Sequence, residues 1–157
     1  MRYGSISKKQ TGRSEGGTVI PKEVVQFVTQ NPTAFVGTVE SGKPHVRAML
    51  LFSADSDQLI FVAGRGKSMC REIERNPNIE ACFYSSQETR TLRIEAEAEF
   101  FSDPDISRQI INRWPVTEMY AANQDDPGFA TFRIRRGTAS FWSISSPGGG
   151  GEERIEF

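Results

Sequence analysis

Apolar and charged side chains alternate along residues 90–101, and this alternation constrains the fold more than any other feature of the chain. The apolar face of the predicted strand carries Leu92, Ile94, Ala96, Ala98 and Phe100. The opposite face carries Arg93, Glu95, Glu97 and Glu99. A strand buried on one side indicates an antiparallel sheet, because parallel sheets are covered on both faces. We interpret the glutamates as a solvated strand face in preference to the paired carboxylates of a hydrolase.

Turn and breaker residues divide the rest of the chain into further short elements. Strands are predicted at residues 34–39, 44–52, 59–63, 79–84, 129–135 and 138–144. Helices are predicted within residues 21–31, after Gly66, after Asp103 and from Pro115. Six or seven antiparallel strands with short helices between them indicate a mainly β fold, namely a closed or split β-barrel with peripheral helices.

The chain is expected to form one domain with a tail at each end, since 157 residues suit a single domain. Residues 1–18 are polar and are interpreted as a flexible N-terminal arm, with ordering against a partner subunit as the alternative. Residues 19–146 make up the predicted barrel domain. Residues 147–157 form a glycine-rich C-terminal tail, in which Ile155 and Phe157 could dock again.

The predicted strand at residues 44–52 has two different faces. One face carries Val46, Ala48, Leu50 and Phe52, and we assign it to the core. The other face carries His45, Arg47, Met49 and Leu51. This second face combines one cation with apolar neighbours, as a cofactor groove or a subunit interface requires.

Two cations suggest a phosphate site. Lys67 precedes a predicted helix within Gly66-Lys67-Ser68, where amide N–H groups and an ammonium can bind an anion. A nucleotide-hydrolase P-loop is excluded because Phe61 stands where that motif needs a glycine. Lys67 alone would be read as a solvated lysine. Arg47 strengthens the interpretation if both cations face one pocket.

Composition and missing motifs exclude several functional classes. The net charge of −1 gives no electrostatic reason to expect nucleic acid. No apolar run approaches the roughly 20 residues of a membrane helix, and no secretion signal is recognisable, so a cytoplasmic location is expected. His45 is the only histidine, which excludes a multi-histidine metal site. Cys70 and Cys82 are interpreted as small buried hydrophobic residues.

The sequence offers no nucleophile or acid–base pair with a recognisable spacing, so any difficult chemistry is expected to belong to a cofactor. A phosphate pocket on a barrel suits flavin mononucleotide (FMN). Its ring needs flat apolar contacts, and Trp114, Tyr120 and Trp142 are candidates for stacking on it, with core or dimer packing as the alternative.

Several segments, taken in order and spacing, carry a family resemblance. They are residues 31–35, 44–49, 59–61, 66–68, 76–80, 92–96, 118–120 and 139–143. Together they resemble the pyridoxamine 5′-phosphate oxidase-like superfamily of FMN-binding split barrels. Within it, the chain is most similar to the small nitroimidazole-resistance (Nim-type) group.

The resemblance implies a homodimer with FMN at the subunit interface. It implies cofactor-binding positions at Arg47, Ala48, Met49, Leu50, Ala63, Gly64, Lys67, Ser68 and Thr91. Arg47, Lys67 and Ser68 would bind the phosphate in this scheme. Two positions depart from the family pattern. Relatives often have a hydroxyl residue and an asparagine at Ala63-Gly64, and the oxidases proper have a cation near Met69.

We therefore expect an FMN-binding flavoprotein, an oxidoreductase that passes hydride or electrons from a reduced nicotinamide through FMN to a small acceptor. A nitro-compound, a quinone and a B6 vitamer remain open as acceptors. The C-terminal substrate-binding segment of the oxidases has no counterpart, which argues against vitamin B6 oxidation. A non-catalytic module that binds flavin or haem, and a scaffold that has lost its cofactor, are the alternatives.

Overall fold

The computed structural model describes residues 19–120, 128–144 and 153–157. The predicted arm at residues 1–18 and the glycine run at residues 148–151 lie outside the described residues. Within the described helices, none is both long and apolar enough to cross a membrane. The cytoplasmic location stays a prediction.

One antiparallel sheet makes up most of the protein. Its nine described strands are β1 (Thr33–Glu40), β2 (Lys43–Ala54), β3 (Leu59–Gly64), β4 (Asn78–Ser85), β5 (Arg90–Glu97), β6 (Glu99–Phe101), β7 (Phe129–Ile134), β8 (Gly137–Ser143) and β9 (Glu153–Glu156). The strand order is β6-β7-β3-β2-β1-β4-β5-β8-β9, and the sheet curls into a half-barrel. The predicted mainly β, antiparallel split-barrel fold is confirmed.

The strand count exceeds the prediction for two reasons. The long predicted strand at residues 90–101 divides at Ala98, whose N–H leaves the ladder and donates to Pro77 O over 2.8 Å. In addition, the chain end pairs with β8. Gly137 and Phe157 exchange two backbone hydrogen bonds of 2.8 and 3.0 Å, and the Phe157 side chain is buried. The predicted docking of Phe157 is confirmed.

Short helices cover the open parts of the sheet. They are α1 (Lys22–Gln30), α2 (Ser68–Arg75), α3 (Pro104–Arg113) and a 3-10 helix (Pro115–Tyr120). Asp103 caps α3 by accepting hydrogen bonds from the backbone N–H groups of Asp105 and Ile106. All four helices begin near the proline or glycine signals that predicted them.

Aromatic rings and aliphatic side chains fill the space inside the half-barrel. The rings of Phe61 and Phe132 stack with centroids 5.1 Å apart, and both are fully buried. Leu92 and Ile94 are also fully buried, whereas Glu95 on the opposite face of β5 is exposed. The predicted two-faced strand is therefore confirmed.

The predicted faces of β2 are wrong. Val46 is 68% exposed and Leu50 is 45% exposed, so these residues point away from the core. Arg47 and Met49 lie on the inward side, where Met49 packs against the core. Sequence alternation could not reveal this inversion, because the inward face contains a cation, Arg47, which pairs with a buried carboxylate. Leu51 continues the inward face, whereas Phe52 is buried in a second apolar cluster with Ile110 of α3, so the predicted burial of Phe52 is confirmed.

Candidate functional site

A groove of about 360 Å³ lies at the end of β3, which is within the size range of small-ligand sites. Its walls are largely apolar. The lining residues are Leu50, Val62, Ala63, Gly64, Lys67, Trp114, Thr117 and Phe129. Lys67 is the charged residue among these eight, so the groove offers a positive charge at one point of an apolar surface.

The floor of the groove follows from strand pairing. Ala63 and Gly64 end β3 opposite Ala130 and Phe129 of β7. The chain then turns sharply, and the Lys67 N–H donates to Gly64 O over 3.0 Å. This turn brings the start of α2 beside the end of β3. The Cys70 N–H donates to Lys67 O. The N–H groups of Ser68 and Met69 have no carbonyl four residues back within the helix, so they add to the positive potential near Lys67.

Gly64 leaves space for the Lys67 side chain. A Cβ built on residue 64 would lie 3.3 Å from Lys67 Cγ and 3.7 Å from Lys67 Cε. The aliphatic stem of Lys67 therefore crosses the glycine on its way into the groove. A residue with a Cβ at position 64 would therefore require the Lys67 side chain to shift.

Trp114 forms a wall that its neighbours hold in place. Its ring meets Phe52 edge to face, with centroids 5.5 Å apart. Thr117 Oγ1 donates to Trp114 O over 2.7 Å, and Arg113 Nη1 donates to Phe52 O over 2.7 Å. These contacts fix the aromatic wall before any ligand enters. The expectation that Trp114 borders a flat ligand remains compatible with this position.

Arg47 takes part in a separate, internal cluster around Glu72, whose side chain is fully buried. Arg47 Nη2 donates to Glu72 Oε2 over 2.7 Å, and Arg47 Nη1 donates to Thr38 Oγ1 over 2.6 Å. Thr38 in turn donates its hydroxyl to Glu72 Oε2. His45 Nδ1 lies 2.8 Å from Glu72 Oε1. We refer to Thr38, His45, Arg47 and Glu72 as the Glu72 cluster.

The Glu72 cluster shifts the ionisation of its carboxyl group. Burial alone would raise the pKa of Glu72, because it disfavours the charged form. Hydrogen bonds from Thr38, His45 and Arg47, together with the positive charge of Arg47, outweigh burial and lower this pKa to about 2. Glu72 is therefore a carboxylate at neutral pH, and the cluster is an ion pair with further donors.

Glu40 approaches this cluster, and the geometry raises the question of a metal ion. Possible ligand atoms of Glu40, His45 and Glu72 lie within 4.8 Å of one another. Arg75 Nη1 already pairs with Glu40 Oε1 at 2.5 Å, as Arg47 pairs with Glu72. A divalent cation would meet positive charge beside both carboxylates. These residues therefore fit an ion-pair cluster better than a metal centre.

The structure brings four of the predicted site residues to one groove, namely Leu50, Ala63, Gly64 and Lys67. Ser68 begins α2 directly after Lys67. The remaining four, Arg47, Ala48, Met49 and Thr91, do not line it. The predicted meeting of Arg47 and Lys67 in one pocket is not found here, because Arg47 turns inward to Glu72. Whether these four contact a cofactor stays a prediction.

Sequence reasoning missed Val62, Thr117 and Phe129 of the groove. Phe129 reaches it through the pairing of distant strands, which no local pattern reveals. Glu72 was also missed, although a signal existed. It lies three residues after Met69 and one before Ile73, both buried, so helical periodicity places it at the edge of the inward face of α2.

Burial raises the pKa values of the two cysteine thiols above their ordinary range. Cys70 is buried and donates its thiol to Gly64 O over 3.4 Å, so it joins α2 to the end of β3. The prediction of a small buried residue is confirmed for Cys70. Cys82 is half-buried.

Large apolar side chains are exposed on the side of the sheet that faces away from the core, which we call the outer face. Phe35, Val46, Leu50, Tyr84 and Trp142 are 44–68% exposed there. Strand register places them on one side, with Thr91 between Tyr84 and Trp142. Exposed apolar side chains grouped on one face are typical of interaction surfaces. Leu50 belongs to both surfaces, so the groove opens onto the outer face.

Comparison with protein families gives one match that covers most of the chain. The family described as Pyridoxamine 5′-phosphate oxidase matches residues 20–143. A pyridoxine/pyridoxamine 5′-phosphate oxidase from Burkholderia mallei is 31% identical over 94 residues, which is 59% of this chain and 44% of that protein. The chain spans less than half the length of the curated relatives that it matches first.

Solved structures support the same fold. A NimC/NimA family protein from Clostridium acetobutylicum superposes with a TM-score of 0.69 at 17% identity, over 87% of this chain and 92% of that one. A pyridoxamine 5′-phosphate oxidase-related, FMN-binding protein from Nostoc punctiforme gives a TM-score of 0.62 at 12% identity, over 86% and 95% of the two chains. The resemblance deduced from sequence segments is confirmed.

Proposed function

This chain belongs to the pyridoxamine 5′-phosphate oxidase family, and from that premise we propose that it binds FMN in the groove beside Lys67. We further propose that it works as an oxidoreductase, passing hydride or electrons from a reduced nicotinamide to a small acceptor. FMN would supply the redox chemistry, for which the described groove residues offer no nucleophile or acid–base pair.

The observation that carries the proposal is the division of the groove into an apolar part and a cationic end. Leu50, Val62 and Trp114 offer flat apolar contact of the kind that an isoalloxazine ring needs. Lys67 and the first N–H groups of α2 offer the positive charge that a phosphate needs. A phosphorylated planar ligand matches this arrangement better than a neutral one.

Individual residues can be given roles within this proposal. Lys67 and Ser68 would bind the phosphate, and Ala63 and Gly64 would follow the ribityl chain with their backbone. Leu50 would border the ring. Lys67 is exposed in a single subunit. Its ammonium should contribute strongly to phosphate binding once the ligand and the partner subunit exclude water from the groove, because electrostatic attraction is then stronger than in water.

We also propose a homodimer that buries the outer face. Phe35 and Tyr84 are each 49% exposed, and a second copy of the same apolar surface would cover them. Since the groove opens onto this face at Leu50, the partner subunit would close it. FMN would then lie at the subunit interface.

Titration of the purified protein with FMN tests the proposal. Quenching of flavin fluorescence and a shift of the visible absorption bands should saturate at equal amounts of FMN and protein chain. FMN binding should weaken in Lys67→Ala and stay unchanged in the control variant Lys22→Ala, because Lys22 is an exposed lysine on α1. A protein that neither carries flavin nor takes it up would contradict the proposal.

Turnover is tested separately. Anaerobic addition of NADH or NADPH to the FMN-loaded protein should bleach the flavin absorption, and a nitro-compound or quinone should restore it. Bound FMN that neither nucleotide reduces would instead identify a non-catalytic flavin-binding module. Binding of haem in preference to FMN would refute the flavoprotein assignment.

A further inference from the structure

The Glu72 cluster connects three elements, of which β1 and β2 also pair through their backbones, and the Arg75–Glu40 ion pair is a further link between α2 and β1. Thr38 belongs to β1, Arg47 belongs to β2, and Glu72 belongs to α2. The cluster therefore joins the short helix to two strands by directional bonds. Met69 and Ile73 pack the same helix against the core, but apolar contacts alone tolerate small rotations.

A buried carboxylate restricts the rotation of α2. Glu72 is fully shielded from water and stays ionised, so its charge requires the Arg47 cation at close range. Both Glu72 oxygens are engaged, Oε1 by His45 and Oε2 by Thr38 and Arg47. Any rotation of α2 breaks one of these bonds without replacing it.

The start of the same helix borders the groove. Ser68, the first residue of α2, lies four residues before Glu72, which corresponds to about 6 Å along a helix. Lys67 immediately precedes Ser68. An eight-residue helix behaves as a rigid unit, so a rotation at Glu72 reaches the Lys67 end.

We infer that Arg47 and Glu72 are positioning residues that hold α2 so that Lys67 and the first helical N–H groups face the phosphate end of the groove. Arg47 thus supports binding of a phosphorylated ligand through α2 and not by contact with the phosphate. This inference rests on the proposed function, because it assigns the groove a phosphorylated ligand.

Direct contact between Arg47 and the phosphate is the competing explanation. It would require the Arg47 guanidinium to leave Glu72, and the carboxylate would then stay buried without its cation. The two explanations make opposite predictions for Glu72→Gln. Direct contact predicts unchanged or tighter FMN binding, since the variant releases Arg47. Positioning predicts weaker FMN binding, since α2 loses its strict orientation.

The experiment measures the dissociation constants of FMN and riboflavin for each variant by fluorescence quenching. Riboflavin lacks the phosphate, so the ratio of the two constants reports on the phosphate end alone. We expect Glu72→Gln to weaken FMN binding about 5- to 10-fold, the range of one ordinary hydrogen bond, because the effect is transmitted through α2, and to leave riboflavin binding nearly unchanged. Glu99→Gln, which removes the exposed Glu99–Arg133 pair, is the matched control with an unchanged ratio.

A second arm uses Lys67→Ala. If Glu72 acts through Lys67, Glu72→Gln should have little further effect on the ratio in the Lys67→Ala background. Additive losses in the double variant, or equal losses of FMN and riboflavin in Glu72→Gln alone, would overturn the inference. Wild-type protein that binds neither flavin would instead refute the proposed function, so the two failures are distinguishable.

A milder variant covers the case in which Glu72→Gln does not fold. Thr38→Val removes one donor to Glu72 Oε2 and one acceptor of Arg47 Nη1, and it keeps the bond between Arg47 Nη2 and Glu72. It should lower the FMN-to-riboflavin preference about 2- to 3-fold and speed hydrogen exchange of the amides of α2. Unchanged exchange and an unchanged preference in this variant would also overturn the inference.

Discussion

The Glu72 cluster and the groove lie at two sides of the same helix, and each contains a cation. In the cluster, Arg47 is 2.7 Å from a buried carboxylate, and both of its terminal nitrogens donate hydrogen bonds within the cluster. In the groove, Lys67 lies among apolar residues, and no carboxylate is found among the described lining residues. The cation with a built-in anion stabilises the fold, whereas the cation without one is available to a ligand.

The largest expected effect concerns the Glu72 cluster. Arg47→Met should lower the free energy of unfolding by about 3–5 kcal/mol, because Glu72 is left buried without its cation. Urea denaturation followed by circular dichroism measures the change. Arg108→Met is the control, because Arg108 pairs with Asp105 at the surface, and a shift of about 0–1 kcal/mol is expected there. Equal shifts would mean that the cluster does not stabilise the fold.

Acid should affect the same cluster. The pKa of Glu72 lies at about 2 in the folded protein, below its ordinary value of 4.5. A lowered folded-state pKa gives stability that is complete above pH 4.5 and is lost as the pH falls towards 2. The loss is about 3 kcal/mol, since one pKa unit corresponds to about 1.4 kcal/mol.

Denaturation at several pH values between 2 and 6 checks this prediction. Other carboxyl groups, such as those of Glu80 and Glu99, also have lowered pKa values, so the wild type alone is not diagnostic. The difference in stability between wild type and Glu72→Gln should shrink as the pH falls. A difference that stays constant down to pH 2 would contradict the role given to Glu72.

The next prediction concerns the proposed dimer, which would cover the outer face and the groove that opens onto it. Val46→Glu places a charge on the exposed apolar outer face and twice in a two-fold interface. We expect the dimer dissociation constant to rise about 30-fold, or about 2 kcal/mol, with little change in the stability of the folded chain. Sedimentation velocity at several concentrations provides the measurement. A wild-type protein that remains monomeric at all concentrations would refute the proposed dimer.

The smallest expected effect concerns the space beside Lys67. Gly64→Ala introduces a Cβ at 3.3 Å from Lys67 Cγ, which a flexible side chain can relieve by a small shift. FMN affinity should fall about 2- to 5-fold, or less than 1 kcal/mol. Gly66→Ala is the matched control, because a Cβ there meets no atom within 4 Å. Equal effects of the two variants would argue against the packing of Lys67 over Gly64.

Local patterns predicted the fold well. Alternation along residues 90–101 placed Leu92 and Ile94 in the core, and proline and glycine signals placed the helices. The same alternation failed for β2, because Val46 and Leu50 are apolar residues on an exposed face. Alternation identifies two faces of a strand but does not decide which face is inside when a buried ion pair replaces apolar contacts.

The site was predicted only in part for a related reason. Lys67 and Gly64 are close in sequence, so their joint position follows from one turn. Arg47 and Glu72 are 25 residues apart, and their pairing depends on how α2 packs on the sheet. A guanidinium on a strand therefore suggested a ligand contact, which stays a prediction, and no local pattern indicated that it pairs with a carboxylate of the same chain.

The most direct test of the account compares FMN with riboflavin in Lys67→Ala. The central claim is that Lys67, and not Arg47, provides the cation for a phosphorylated flavin. FMN binding should weaken about 10- to 50-fold, as expected for a lost charge-assisted bond, while riboflavin binding and the free energy of unfolding stay near their wild-type values. An unchanged FMN dissociation constant in Lys67→Ala would contradict the account.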